Sequence, residues 1–179
     1  SFDRNMPEEI NRILTDSISD ILYTTSQDAI SQLHKEGIAK EKTHFVGNVM
    51  IDTLFNHLNE ATQTEFYQSL NLKQKNYAVI TLHRPSNVNH KQTLQDLIQT
   101  FTTLSNNIPI VFSIHPRTKT LLQESSLYSA LKNNPNITLL DPIGYLENIN
   151  LIQNSKLVLT DSGGLQEETT ALNIPCLTL

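Results

Sequence analysis

The chain has 179 residues and a formal net charge of −5, with no basic run, which argues against an electrostatic footprint for nucleic acid. No apolar stretch approaches the length of a membrane span and no signal-peptide pattern opens the sequence, so no membrane attachment is expected. The single cysteine, Cys176, excludes a disulfide framework within one copy and fits a reducing compartment, the cytoplasm.

The length suits one domain plus part of another, with a real core. The chain opens at Ser1 without a Met. It stops at Leu179 inside the apolar run Cys176-Leu177-Thr178-Leu179, which reads as a strand that should feed another loop. The expectation is an internal stretch of a longer protein.

Pro7, Glu8 and Glu9 read as a helix start, because proline suits the first turn and acids suit the positive end of the helix dipole. Ile10, Ile13, Leu14 and Ile18 then keep helical spacing. Residues 21–24 read as a short strand, 27–36 as a helix stopped by Gly37, and 44–46 as a second short strand. Gly47-Asn48 leads into a helix over 50–59 and marks the expected domain boundary, giving parts 1–47 and 48–179.

From Tyr77 the rhythm is regular. Strand-like runs at 77–82, 108–114, 137–140, 157–160 and 176–179 alternate with helical patterns at 91–104, 119–132, 145–153 and 165–172. Near-continuous apolar strands alternating with helices predict an α/β fold with a parallel sheet covered on both faces. Ligands in such sheets sit beyond the carboxyl ends of the strands. Three strand ends carry unusual polar residues, and all three should share one rim: His83-Arg84, His115-Pro116-Arg117 and Asp161-Ser162-Gly163-Gly164.

Ser162, Gly163 and Gly164 precede the helix 165–172. Glycine lets the backbone approach a ligand closely, and the unpaired first N–H groups of a helix suit a diphosphate. Glu168, four residues after Gly164, could accept hydrogen bonds from two ribose hydroxyls. An ordinary strand–helix turn using glycine for geometry accounts for the same spacing. Arg84 and Arg117 offer planar forks to phosphate. His83 and His115 could donate to phosphate or move a proton, although a lone histidine is as readily a structural residue.

Glu8 and Arg12 share a helix face and read as a solvated ion pair. His34, His57 and His90 look like surface residues, and His44 and Cys176 like packing. No cluster has metal-ligand spacing, and no Gly-x-Ser-x-Gly elbow occurs.

Four motifs in order carry a resemblance: Met6-Pro7-Glu8-Glu9-Ile10-Asn11-Arg12, Thr81-Leu82-His83-Arg84-Pro85, His115-Pro116-Arg117 and Thr160-Asp161-Ser162-Gly163-Gly164-Leu165-Gln166-Glu167-Glu168. Val46-Gly47-Asn48 followed by Ile51-Asp52 adds to them. The chain resembles the non-hydrolysing UDP-N-acetylglucosamine 2-epimerases from Phe2 to Leu179. That resemblance implies two Rossmann-like domains facing each other as in GT-B glycosyltransferases. Residues 1–47 would end the first domain and 48–179 would form most of the second.

It also implies interconversion of UDP-GlcNAc and UDP-ManNAc, feeding cell-surface polysaccharide biosynthesis. UDP is eliminated to a 2-acetamidoglucal and re-added with the opposite configuration at C2, without metal or redox cofactor. The full-length protein would be a homodimer. By the same match, Glu8 is a catalytic carboxylate, and His83 lies near a diphosphate held by Ser162, Gly163 and Gly164. Glu168 takes the ribose, and Tyr145 and Asn148 sit where the family places the uracil. Arg84, His115 and Arg117 go to the phosphate side by chemistry.

Ser86-Asn87 replaces the acid and Asn that many members carry after the His-Arg pair. The family's other catalytic carboxylates lie upstream of Ser1, so the 179 residues alone are expected to be inactive. The competing readings are a hydrolysing 2-epimerase, a GT-B glycosyltransferase and a nucleotide-binding piece without activity.

Overall fold

A computed structural model describes residues 3–4 and 6–179, and among them every paired strand is parallel. The expected α/β class with a parallel sheet is borne out. The chain divides into two compact units, one ending at Asp52 and the other Thr53–Leu179. Among the described residues no helix is long and apolar enough to cross a membrane.

The first unit opens with α1 (Pro7–Ile18), which has proline in its first turn beside Glu8 and Glu9. β1 (Leu22–Thr24) follows, then α2 (Gln27–Lys35), whose start is capped by Ser26 Oγ accepting from Ala29 N at 3.2 Å. Gly37 stands just past the α2 end with φ +92°, a conformation open to glycine and costly for other residues. A 3-10 turn at Lys40–Lys42 leads into β2 (Thr43–Phe45), which pairs with β1, Leu22 opposite Thr43.

Arg12 does not make the expected pair with Glu8. Its guanidinium donates to Glu9 (2.9 Å), Asp16 (2.8 Å) and Glu36 (2.9 Å), because Glu9 is folded under it and α2 brings Glu36 into reach. His44, expected in packing, is exposed on β2, with its ring 6.1 Å from that of Tyr23. His34, expected at the surface, is half-buried and bonds Thr43 Oγ1 at 3.1 Å. The Gly47-Asn48 turn, with Gly47 at φ +79°, feeds α3 (Val49–Gln63), and the division between units falls inside that helix.

The second unit is a five-stranded sheet. Its strands are β3 (Ala78–Leu82), β4 (Ile110–Ile114), β5 (Ile137–Leu140), β6 (Leu157–Thr160) and β7 (Cys176–Thr178), in spatial order β5-β4-β3-β6-β7. The chain lays down β3, then β4 and β5 to one side, and returns to place β6 and β7 on the other. This is the doubly wound order of a dinucleotide-binding half, with its topological switch point between β3 and β6.

Strand alternation sorts the core into two layers. Ala78, Ile80, Leu82, Ile110, Phe112, Ile114 and Leu159 pack with Val88, Leu94, Ile98, Phe101, Leu122 and Leu131 on one face. Phe101 meets Phe112 edge-on at 5.9 Å. Tyr77, Val79, Val111 and Val158 pack with Leu151, Ile152 and Ile174 on the other, and Cys176 joins them half-buried. The helices of the first face are α5 (Pro85–Val88), α6 (Lys91–Leu104), α7 (Pro116–Glu124) and α8 (Leu127–Lys132). Those of the second are α4 (Phe66–Ser69), α9 (Tyr145–Gln153) and α10 (Gly163–Ala171). Asn150 ties that face together, its Oδ1 accepting from Tyr67 N at 3.1 Å and its Nδ2 donating to Ala61 O at 2.9 Å.

Two expectations about helices are corrected. The pattern over 119–132 is two helices, because Ser125 Oγ bonds back to the carbonyls of Leu121 and Leu122 and Ser126 takes φ +62°. Pro85 does not stop helix; it sits in the first turn of α5, where its missing N–H costs nothing.

Candidate active site

The carboxyl ends of β4, β3 and β6 lie side by side, with Leu82 opposite Ile114 and Thr81 opposite Thr160. They bring His115, His83 and the Asp161–Gly164 stretch to one rim, at the switch point. A cleft of about 310 Å³ opens there, lined by His83, His115, Asn148, Ser162 and Leu165 among others. Its size suits part of a nucleotide.

The turn from β6 into α10 is fixed from below. Thr160 Oγ1 lies 2.6 Å from Thr81 Oγ1 and accepts from Ser162 N at 2.9 Å. Ser162 is the N-cap of α10, its Oγ accepting from Leu165 N at 3.5 Å, and the helix starts at Gly163 rather than at Leu165. The amides of Gly163 and Gly164 are first-turn donors that have no acceptor within the helix. Gly163 does not adopt the left-handed region, and a Cβ built on it would meet only Arg84 Nη2, at 4.0 Å. Neither backbone strain nor packing therefore requires glycine at 163.

Asp161 is the hub of the site, and sequence reasoning quoted it without giving it a role. Its side chain is fully buried. The carboxylate accepts from His83 N (3.0 Å), Arg84 N (2.8 Å), Asn87 Nδ2 (3.1 Å) and His83 Nδ1 (2.7 Å). Its carbonyl accepts from Arg84 Nε at 2.6 Å. Burial alone pushes this carboxyl up, but the amides of Arg84 and His83, the Asn87 side chain and the His83 ring outweigh it and hold the group below the usual range. Asn87 is thereby a working part of the turn. The signal in the sequence was an acid directly after a buried strand with no basic partner at helical spacing.

His83 is nearly half exposed, with its ring 6.1 Å from that of His115. His115 Nδ1 accepts from Arg117 N at 3.3 Å, so in the neutral ring its Nε2 carries the proton. Arg84 is anchored through Nε, which sets a terminal nitrogen beside Gly163. Arg117 is exposed and turned to Asn89 Oδ1 at 3.0 Å, outside the cleft lining.

Glu168, one turn along α10 from Leu165, is buried and accepts from Tyr145 Oη at 3.4 Å. Burial raises its carboxyl, and the Tyr145 hydroxyl pulls the other way. Tyr145 is itself raised, by burial and then by Glu168. The half-buried His57 packs edge-on to Tyr145 at 6.0 Å, with Nδ1 donating to Thr53 O at 2.8 Å, so it is not the plain surface residue expected. Glu8 lies exposed in the first turn of α1, in the first unit. Among the described residues no group of three or more His, Cys, Asp or Glu is placed to hold a metal ion.

The model of the UDP-N-acetylglucosamine 2-epimerase family matches residues 1–179. A UDP-N-acetylglucosamine 2-epimerase of Methanocaldococcus jannaschii is 43% identical over the whole chain, which covers 50% of that protein. A crystal structure of the enzyme from that organism, in complex with UDP-GlcNAc and UDP, superposes with a TM-score of 0.88 over 100% of this chain and 50% of its own. The UDP-2,3-diacetamido-2,3-dideoxy-D-glucuronate 2-epimerase of Pseudomonas aeruginosa is 37% identical, with 100% of this chain and 49% of that protein covered. The chain thus spans about half the length of the curated relatives it matches. Over that half, motif order, sheet order and sequence identity agree, and the chain belongs to the UDP-N-acetylglucosamine 2-epimerase family.

Proposed function

We propose that the chain is the middle part of an enzyme that interconverts UDP-GlcNAc and UDP-ManNAc by eliminating and re-adding UDP. The observation that carries this reading is the switch point, where His83 and Ser162 at the start of α10 line one cleft and a terminal nitrogen of Arg84 lies beside Gly163. UDP departs with concentrated negative charge, and preformed donors aimed at that charge stabilise its departure. The amides of Gly163 and Gly164, the Ser162 side chain and the Arg84 fork are such donors, and none needs to reorganise.

In this reading His83 sits at the leaving oxygen, and His115 and Arg117 add donors on the phosphate side. Glu168 receives the ribose hydroxyls, and Tyr145 and Asn148 take the uracil. Glu8 is one of the carboxylates that move the C2 proton. Residues 1–47 complete the end of a first Rossmann-like domain and 48–179 supply most of a second, in the GT-B arrangement. The resemblance further supports a homodimer, and the supply of a nucleotide-sugar for polysaccharide synthesis supports the cytoplasm.

A second reading keeps the chemistry and changes the sugar, since a 37% identical relative is named for a diacetamido-glucuronate. The test uses the full-length protein in D2O with each UDP-sugar, followed by proton NMR. The expected result is conversion of UDP-GlcNAc to UDP-ManNAc with deuterium at C2. Release of free ManNAc and UDP would show the hydrolysing reaction instead, and turnover of the diacetamido sugar alone would establish the second reading.

A further inference from the structure

The geometry points to Asp161 as a positioning residue that locks the His83 ring with Nδ1 protonated, so that Nε2 alone serves the ligand. This rests on the reading of the cleft as a diphosphate site and adds to it a residue with an assigned task. A fully buried carboxylate must be paired or hydrogen-bonded, and this one accepts from four N–H groups, three of them on His83 and Arg84. Among the described residues no lysine or arginine side chain donates to this carboxylate. Its short partner is His83 Nδ1 at 2.7 Å. An ionised carboxylate accepts and cannot donate, so Nδ1 must carry the hydrogen.

Nε2 lies across the ring from Nδ1, on a side chain that lines the cleft. In the neutral ring it has only a lone pair; once protonated it is a donor beside the departing diphosphate. In the elimination a carboxylate takes the C2 proton, the C2–H pair becomes the C1–C2 double bond and the C1–O pair leaves on the phosphate oxygen, to which His83 Nε2 passes a proton drawn from solvent; re-addition reverses these transfers, with a proton delivered to the other face of C2. The charged and titratable groups facing His83 are Asp161 from the end of β6, His115 from the end of β4, and Arg84 beside it in the chain. Among the described residues only Asp161 is in hydrogen-bond contact with the ring.

The contrast with His115 supports the assignment. There a backbone amide donates to Nδ1, which puts the proton of the neutral ring on Nε2. Two histidines on neighbouring strand ends are held in opposite tautomers by different parts of the fold. In the neutral rings one presents an Nε2–H donor and the other an Nε2 lone pair.

Nitrogen-15 NMR of histidine-labelled full-length protein tests this, at a pH where imidazole is neutral, with His83 assigned by its loss in His83→Gln. The wild type should show the Nδ1–H form. Asp161→Asn presents an amide that can donate to Nδ1 and should flip the ring to Nε2–H. Turnover in Asp161→Asn should then fall by roughly 10²-fold, the scale of a general acid–base group.

A wild-type Nε2–H form overturns the proposal without any variant, so a failure of Asp161→Asn to fold cannot shelter it. Full turnover in a folded Asp161→Asn protein overturns it as well. An Nδ1–H ring in a protein that does not bind UDP refutes the diphosphate reading, and with it the purpose given to Asp161.

Discussion

Replacing Gly163 by Ala separates a glycine kept for ligand approach from one kept for geometry. The backbone at 163 lies outside the left-handed region, and the added methyl would touch nothing closer than Arg84 Nη2 at 4.0 Å. The folded state therefore accommodates alanine, and the loss of unfolded-chain freedom should stabilise the protein by about 0.4–1 kcal/mol. A second unit of this size would gain roughly 1–4 °C in Tm. In the proposed site the same methyl stands where a phosphate oxygen would come within hydrogen-bond distance of the Gly163 and Gly164 amides. Displacing one charge-assisted hydrogen bond costs about 1.5–3 kcal/mol, so UDP should bind roughly ten- to hundredfold more weakly. Calorimetric titration with UDP and a thermal melt on the same full-length sample measure both. Unchanged UDP affinity would refute the placement of the diphosphate at this helix start. A large drop in Tm would mean that glycine is required by the turn itself.

Glu168→Gln should raise Tm at neutral pH and weaken UDP binding together. A carboxyl raised in the folded state contributes stability below its unfolded value and loses it as pH rises through the folded one, so the ionised form is a burden at neutrality; melts at two pH values should show the gain vanish on acidification. Asp161 has the opposite sign. Its lowered folded value means stability present above the ordinary aspartate range and lost as pH falls through that lowered value, and Asp161→Asn should remove this acid limb from a plot of unfolding free energy against pH. Glu8→Gln in the full-length enzyme should cut turnover by roughly 10²-fold and leave UDP affinity alone, and normal C2 deuterium exchange in that variant would remove Glu8 from the mechanism.

Most of the second unit was legible because buried parallel strands are written as apolar runs. Val79, Val111 and Val158 on one face and Ile80, Phe112 and Leu159 on the other make near-continuous apolar runs, with Thr81, Ser113 and Thr160 only at or near the strand ends. What the sequence concealed were features decided by single side-chain bonds or by distant partners. The break between α7 and α8 depends on one serine hydroxyl returning to two carbonyls. The partner of Arg12 was misjudged because Glu36 lies 24 residues away and reaches it only once α2 has folded. Spacing rules see neighbours on one helix and are blind to such pairs.

The site shows the same division in sharper form. The glycines, histidines and arginines at the strand ends could be named from residue type, because their chemistry is local. The role of Asp161 could not, since it exists only when the chain order returns β6 to the side of β3, bringing residue 161 against residues 83, 84 and 87. That return is also what creates the switch point. The crossover that opens a cleft between two diverging connections thus places a buried carboxylate under its floor. Asp161 there holds the His83 ring through its carboxylate and the Arg84 side chain through its carbonyl. The topology and the electrostatics of the site have one cause, the adjacency of β3 and β6. Any substitution that separates those two strand ends, such as a bulky apolar residue for Thr81 or Thr160, would disturb the His83 ring, the Arg84 fork and the Ser162 turn at once.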